Sequence, residues 1–439
     1  MKKSTKIILT AGCALMGAGC VITGIGIGTG GHIGFSVTKN GITSAYQEPK
    51  DPYTLTRQKV SGFQNVDIKI GSYADIELLP SDDENYYLEY ILDGSDQEPV
   101  TDITNGTLSL VQKEYAPVTF NIFSIAPVPS SRVEASVKLY IPEETKLDSL
   151  KLFTDSGDIR VPKLQAKSAD LRSAYGNLEL EEVQITEDAK WETDSGNLSI
   201  SRCSAGFADI HNDYGDTSID SLKGESLELR AGYGDALLNG LDLSADAVLN
   251  IDCGSLTMND SKAGFVTVNN SSGDTELNSV SGTDFSAEAD YGDIVLKNSV
   301  FTNSFSAALE SGSLSADTGN SDSLTVESSS GDITLENFKS KTAELDADYG
   351  DITFDAAALE ALKCKNEYGS VSLTLPENID VYSYDLYTDY GNITLSDSIK
   401  NGLLKKQEYG SSASFKSQKD TKALIRIEVN SGDIELLTR

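Results

Sequence analysis

The chain has 439 residues, but only two histidines and five cysteines, and 35 Lys and Arg stand against 68 Asp and Glu. Each shortage removes a class of function. General acid–base catalysis needs a positioned cluster of titratable groups. Here His32 sits beside an apolar N-terminal run and His211 stands alone. No CxxC spacing occurs, so neither a zinc site nor a redox motif is indicated. There is no G-x-S-x-G elbow. A net charge of −33 excludes binding to nucleic acid by phosphate neutralisation, and no basic stripe offsets it. The chain is therefore not expected to be an enzyme, and no catalytic or cofactor-binding residue is assigned.

What is present is a beat. Ser or Tyr, then Gly, then Asp, Asn or Ser recurs at Gly157, Gly176, Gly196, Gly215, Gly234, Gly254, Gly273, Gly292, Gly312, Gly331, Gly350, Gly369, Gly391, Gly410 and Gly432, with Cys253 the one departure before the glycine. The steps are 19 or 20 residues, apart from two of 22. Such a period means stacked supersecondary units, each resting on its neighbours. Apolar columns stand five residues before the glycine (Leu152, Leu171, Trp191, through Ile427), two after it (Ile159, Leu178, Leu198) and four after it (Val161, Leu180, Ile200). Only Lys405, in the Gly410 repeat, breaks the first column. A spacing of two is strand alternation. A looser column seven after the glycine holds Leu164, Val183, Cys203, Leu222, Leu241, Val280 and Phe338. The pattern predicts an all-β, single-stack β-solenoid of about fifteen coils over 151–439, a rod on the order of 70 Å long at roughly 4.8 Å per coil. Cys203 and Cys364 fall in inward columns and read as small core hydrophobes.

Two rows of side chains at the glycine turn are candidate contact surfaces. Tyr precedes the glycine at Tyr175, Tyr214, Tyr233, Tyr291, Tyr349, Tyr368, Tyr390 and Tyr409. This row is either a packing ladder along one edge or an exposed aromatic strip for sugars or peptides. Acids flank the turn as Asp155/Asp158, Asp213/Asp216, Asp290/Asp293 and Asp348/Asp351. They read either as a solvated edge or as a cation edge in which Ca²⁺ relieves repulsion between stacked carboxylates.

At the N-terminus, Lys2, Lys3 and Lys6 precede an apolar run over 7–28, long enough to span a bilayer. The readings are an uncleaved single-pass anchor with residues 1–6 cytoplasmic, a cleaved signal segment, or a lipoprotein lipidated at Cys20, since Gly17-Ala18-Gly19-Cys20 is similar to a lipobox. Gly24-Ile25-Gly26-Ile27-Gly28 is no dinucleotide loop, because no strand–turn–helix unit surrounds it. Residues 29–59 read as a polar juxtamembrane spacer. Residues 60–150 read as a β-rich cap, which a solenoid end needs to avoid edge pairing.

The repeated S/Y-G-D/N-I/L turn, the lead-in Val137-Lys138-Leu139-Tyr140-Ile141-Pro142 and the single N-terminal anchor resemble a bacterial adhesin-like family. That family is a domain of unknown function with β-strand repeats and includes Lia-type and Yvl-type cell-envelope proteins. The resemblance spans roughly 60–439. It implies a cell-surface location, no known enzymatic activity and, in some members, a part in envelope stress. It transfers no catalytic residue. The expected function is a membrane-tethered extracellular scaffold that binds cell-wall or host ligands. The alternatives are capture of cationic antimicrobial peptides and, least, a carbohydrate-active enzyme.

Overall fold

The computed structural model describes residues 50–114, 134–376, 382–396, 403–406, 409–417 and 423–439, together with the backbone of strands at Ile33–Thr38, Gly41–Ser44 and Phe120–Ile125. Every regular element among the described residues is a β-strand. The run 7–28 and Cys20 lie outside the described residues. Among those described, no helix is long and apolar enough to cross a membrane, so the helix expected in the fold has no counterpart there.

The repeat is a coil of parallel strands. In the Gly254 coil, Leu256–Asn259 leaves the turn, a short bridge forms at Lys262, and Phe265–Ser272 runs back to the edge. Each segment pairs in parallel with the same segment one coil on, as Leu256 with Thr275 and Phe265 with Asp284. The apolar columns of the sequence all face inward. Leu152, Trp191, Leu249, Val326, Leu345 and Ile427 are each at most 1% exposed. One core thus runs the length of the stack, which no coil would bury alone.

Two corners shape the coil. At the glycine turn, the Gly amide donates to the carbonyl before the next coil's glycine, from Gly157 onto Tyr175 (2.9 Å) to Gly350 onto Tyr368 (3.0 Å). Coils approach so closely here that a Cβ on Gly234 would lie 2.2 Å from the Gly215 carbonyl oxygen, with φ at +140°. No L side chain fits that spot. The second corner falls six residues later. There Lys163, Glu182, Arg202, Ser221, Gly240, Asp260, Ser279, Asn298, Thr318 and Asn337 all have positive φ, between 38° and 67°. This corner tolerates side chains because they point to solvent.

The coil count departs from fifteen. Twelve turns, Gly157 through Gly369, stack in chain order. The chain then breaks sequence. Leu424–Ser431 lies between Ala361–Tyr368 and Ser383–Tyr390, parallel to both, and Ile434–Thr438 lies between Val371–Leu375 and Ile393–Leu395. The spatial order is Gly369, Gly432, Gly391. The Gly410 repeat makes no coil. Its strand Ser411–Phe415 runs antiparallel on Ser383–Tyr390, with Leu403–Lys406 antiparallel on its other side. The reason is local: Lys405 stands where an inward apolar residue is required, and it is exposed.

At the other end the cap supplies a partial coil of its own. Tyr73-Ala74-Asp75-Ile76 makes the glycine turn with alanine: Ala74 donates to Ser156 (2.7 Å) and Ile76 to Asp158 (2.8 Å). Alanine is accommodated because its φ is not left-handed and its outer neighbour, Thr107–Gln112, stops pairing at Ile70. The strand Tyr86–Leu92 runs antiparallel between Tyr53–Val60 and Ser136–Ile141. Val100–Thr104 folds antiparallel on Thr107–Gln112. These antiparallel layers cover the stack's edge.

Candidate functional site

The glycine turns align into one edge, and the residue before each glycine points out of it. In spatial order this edge reads Tyr73, Ser156, Tyr175, Ser195, Tyr214, Tyr233, Cys253, Ser272, Tyr291, Ser311, Ser330, Tyr349, Tyr368, Ser431, Tyr390. The eight tyrosines of the candidate strip are between 49% and 69% exposed. Where two follow directly they stack on each other. Tyr214 and Tyr233 lie 5.0 Å apart at 3°, as do Tyr349 and Tyr368 at 6°. Tyr390 and Tyr409 meet at 6.3 Å, tilted by 53°. The row thus carries two stacked pairs, and every tyrosine of the strip is exposed. Strict alternation would turn this row inward, since positions five, three and one before the glycine share parity; the chain breaks alternation at the turn, so that Leu229 and Ala231 are buried while Tyr233 is exposed.

The acids divide into two kinds. Those after the glycine are joined to the backbone of the next coil, not to their own turn. Asp158 Oδ1 accepts the Asn177 amide (2.9 Å), Asp216 that of Asp235 (3.0 Å), Asp293 that of Ser313 (2.8 Å) and Asp351 that of Ser370 (2.7 Å). Asn177, Asn197 and Ser313 do the same work in their coils. The row continues across the break in chain order, from Ser370 to Asp433 and from Asp433 to Asn392. Asp213, before its glycine, meets His211 Nε2 at 2.7 Å. Asp290 and Asp348 are exposed, and Asp155 is half-buried. Among the described residues, no three His, Cys, Asp or Glu side chains converge as a metal would need. His32 lies outside the described residues.

A row that the sequence reading missed runs inside the edge, three residues before the glycine. Ser173 donates to the Gly157 carbonyl (2.8 Å), Thr193 to Gly176 (3.0 Å), Asn366 to Gly350 (2.8 Å) and Thr388 to Gly432 (2.8 Å). These buried polar side chains satisfy carbonyls that the tight turn leaves facing inward. The signal was present as Ser, Thr or Asn recurring at an inward parity.

Near the C-terminal end of the strip, four neighbouring coils form a hollow of about 410 Å³. Asp346, Asp348, Glu367, Asp389 and Glu428 line it, with Lys365 as the one lining cation. Tyr387 borders it and donates to Asp389, which raises the phenol's pKa above its ordinary value. Elsewhere several cations pair with acids one coil away, as Arg160 with Glu179 (2.9 Å), Arg230 with Asp209 (3.0 Å) and Lys297 with Glu276 (2.6 Å). Such exposed pairs stabilise little. Cys203 and Cys364 are buried, and burial pushes both thiols up; Cys253 is exposed on the edge.

These features define a non-globular all-β scaffold with one repeated, solvent-facing edge. Three overlapping stretches, residues 63–264, 243–312 and 259–437, match the Toastrack DUF4097 family, and the chain belongs to it. No curated protein matches the chain. Three solved structures are similar over most of their length. A candidate cell adhesion protein from Clostridium sporogenes shares 8% identity, covering 89% of this chain and all of that one, at a TM-score of 0.16. A candidate adhesin from Bacteroides fragilis shares 13%, covering 70% and 100%, at 0.23. A candidate lipid binding protein from Parabacteroides distasonis shares 15%, covering 88% and 97%, at 0.18.

Proposed function

We propose that this chain is a non-catalytic binding scaffold of adhesin-like type, held at a bacterial cell surface by its N-terminal segment, with the tyrosine edge as its contact surface. The observation that carries the reading is the line of exposed tyrosines along one edge. Aromatic faces lend themselves to sugar rings and to peptide side chains. Repetition along one line multiplies weak contacts through effective concentration. The test is binding of the full chain to cell-wall glycans and to host matrix proteins at low and high salt. Replacing Tyr214, Tyr233, Tyr349 and Tyr368 together by Ser, the residue that other coils use, is expected to leave the circular dichroism spectrum intact and to abolish salt-resistant binding. Unchanged binding by that variant would sink the reading.

A second reading draws on the acidic hollow and the charge of −33. A strongly acidic rod attracts cationic peptides. Such capture collapses with rising ionic strength, because exposed charges are screened within about 10 Å at 0.1 M salt. Binding confined to a cationic peptide and lost at high salt would favour envelope defence over adhesion.

A further inference from the structure

The strand pair Leu424–Thr438 occupies a slot that the repeat does not require. It is held there by the same ladders that join any two coils: Gly369 donates to Ser431 (3.0 Å) and Gly432 to Tyr390 (3.0 Å), Val371 to Asp433 (2.9 Å) and Ile434 to Asn392 (2.9 Å). The walls of the slot match each other as well as they match the insert. Leu362 and Tyr384 both face Ile425, Cys364 and Leu386 both face Ile427, Asn366 and Thr388 both face Val429, and Tyr368 and Tyr390 both face Ser431. If the insert left, the Gly391 coil would close onto the Gly369 coil with apolar on apolar, polar on polar and Tyr on Tyr. The empty slot would heal. The released segment would not, because Ile425, Ile427, Val429, Ile434 and Leu436 are each at most 2% exposed in place.

We propose that Leu424–Thr438 is an exchangeable strand, and that its alternative seat is the same slot of a second copy of this chain. Reciprocal exchange keeps every ladder and every buried side chain, so it costs little beyond association. It would join two rods at their C-terminal ends. One contact is specific to the insert and acts as a latch. Arg439 grips Asp355 with Nε–Oδ1 at 3.0 Å and Nη2–Oδ2 at 2.6 Å, two coils away, and its amide donates to Leu375 (3.1 Å).

Ser372 and Glu435 face each other across the slot with side chains 3.4 Å apart, which makes them a reporter pair. In full chains with Cys13, Cys20 and Cys253 replaced by Ser, the double variant Ser372→Cys/Glu435→Cys should close an intrachain disulfide. Two differently tagged chains, one Ser372→Cys and one Glu435→Cys, are then co-expressed and oxidised. The expected result is a covalent dimer carrying both tags; Arg439→Ala, which loses the same contact in either seat, should speed its formation without raising its final share. An intrachain disulfide with no mixed dimer would overturn the exchange. Failure of the intrachain disulfide would overturn the slot itself.

Discussion

The acid after each glycine serves as a hydrogen-bond acceptor, and its charge is incidental to that role. Asp216 Oδ1 takes the amide of Asp235, and in a neighbouring coil Asn197 takes the amide of Asp216 in the same way. An amide oxygen is therefore as good as a carboxylate here. Asp216→Asn should leave the melting temperature within error, whereas Asp216→Ala strands one amide and should cost about 1–2 kcal/mol. A cation edge predicts otherwise, with Asn losing calcium-dependent stability; thermal melts of both variants with and without millimolar Ca²⁺ separate the two. The sequence displayed these acids plainly, but not their partner, because a side chain's bond to the next coil is invisible until the stacking register is known. The tyrosines were legible in the same half-way manner. Their spacing located them on one edge, but their parity is that of the buried column, and only the break in alternation at the turn puts them outside.

At the scale of the coil, the column seven after the glycine looked loose because it is filled by volume exchange between neighbours. Gly319 and Phe338 are successive members of it. A Cβ on Gly319 would lie 2.0 Å from Phe338 Cε2. The ring is 1% exposed and packs edge-on against Phe305 at 5.7 Å, so it has nowhere to swing. Gly319→Ala should cost about 1–3 kcal/mol by overpacking. Phe338→Leu in the same chain should return part of it, so the double variant should be more stable than the sum of the two single costs. Strict additivity in denaturant midpoints would mean the two sites do not share space. Ser261 and Ser299, in the same column, are buried and accept the amides of Leu241 and Val280 (both 3.1 Å). The periodic elements were thus readable from apolar spacing, while the exceptions were masked by compensation. The break in chain order did leave marks: the two 22-residue steps fall at Gly391 and Gly432, and Lys405 interrupts an otherwise apolar column. Each is a repeat that cannot continue the stack in sequence. The alanine turn at Ala74 lacks the glycine that marks the repeat, although Tyr73, Asp75 and Ile76 surround it as Tyr, Asp and Ile surround Gly292 and Gly350.

As a whole the molecule is one-dimensional, and its response to damage should be too. Each coil's backbone ladders join only the coils beside it, so stability is close to a sum of coil and interface terms. Gly273 lies near the middle of the twelve-turn stack. It has φ at +137°, and a Cβ there would meet the Gly254 carbonyl oxygen at 2.1 Å. Gly273→Ala therefore weakens one interface by roughly 2–4 kcal/mol, from backbone strain together with overlap. In a globular core such a loss would lower a single transition. In a stack it uncouples the coils on one side from those on the other. The Gly157 side keeps the cap, whose antiparallel strands close its edge, and the Gly369 side keeps the intercalated C-terminal strand. The two halves are then differently anchored and should unfold at different denaturant concentrations. Equilibrium unfolding of the Gly273→Ala chain, followed by far-ultraviolet circular dichroism, should resolve into two steps. Hydrogen exchange should show the boundary at the Gly254–Gly273 interface. A single transition, shifted but undivided, would mean that the coils are coupled far beyond their neighbours. A contact at one end of the tyrosine edge would then be felt at the other, and the edge would bind as one cooperative surface instead of a row of independent sites.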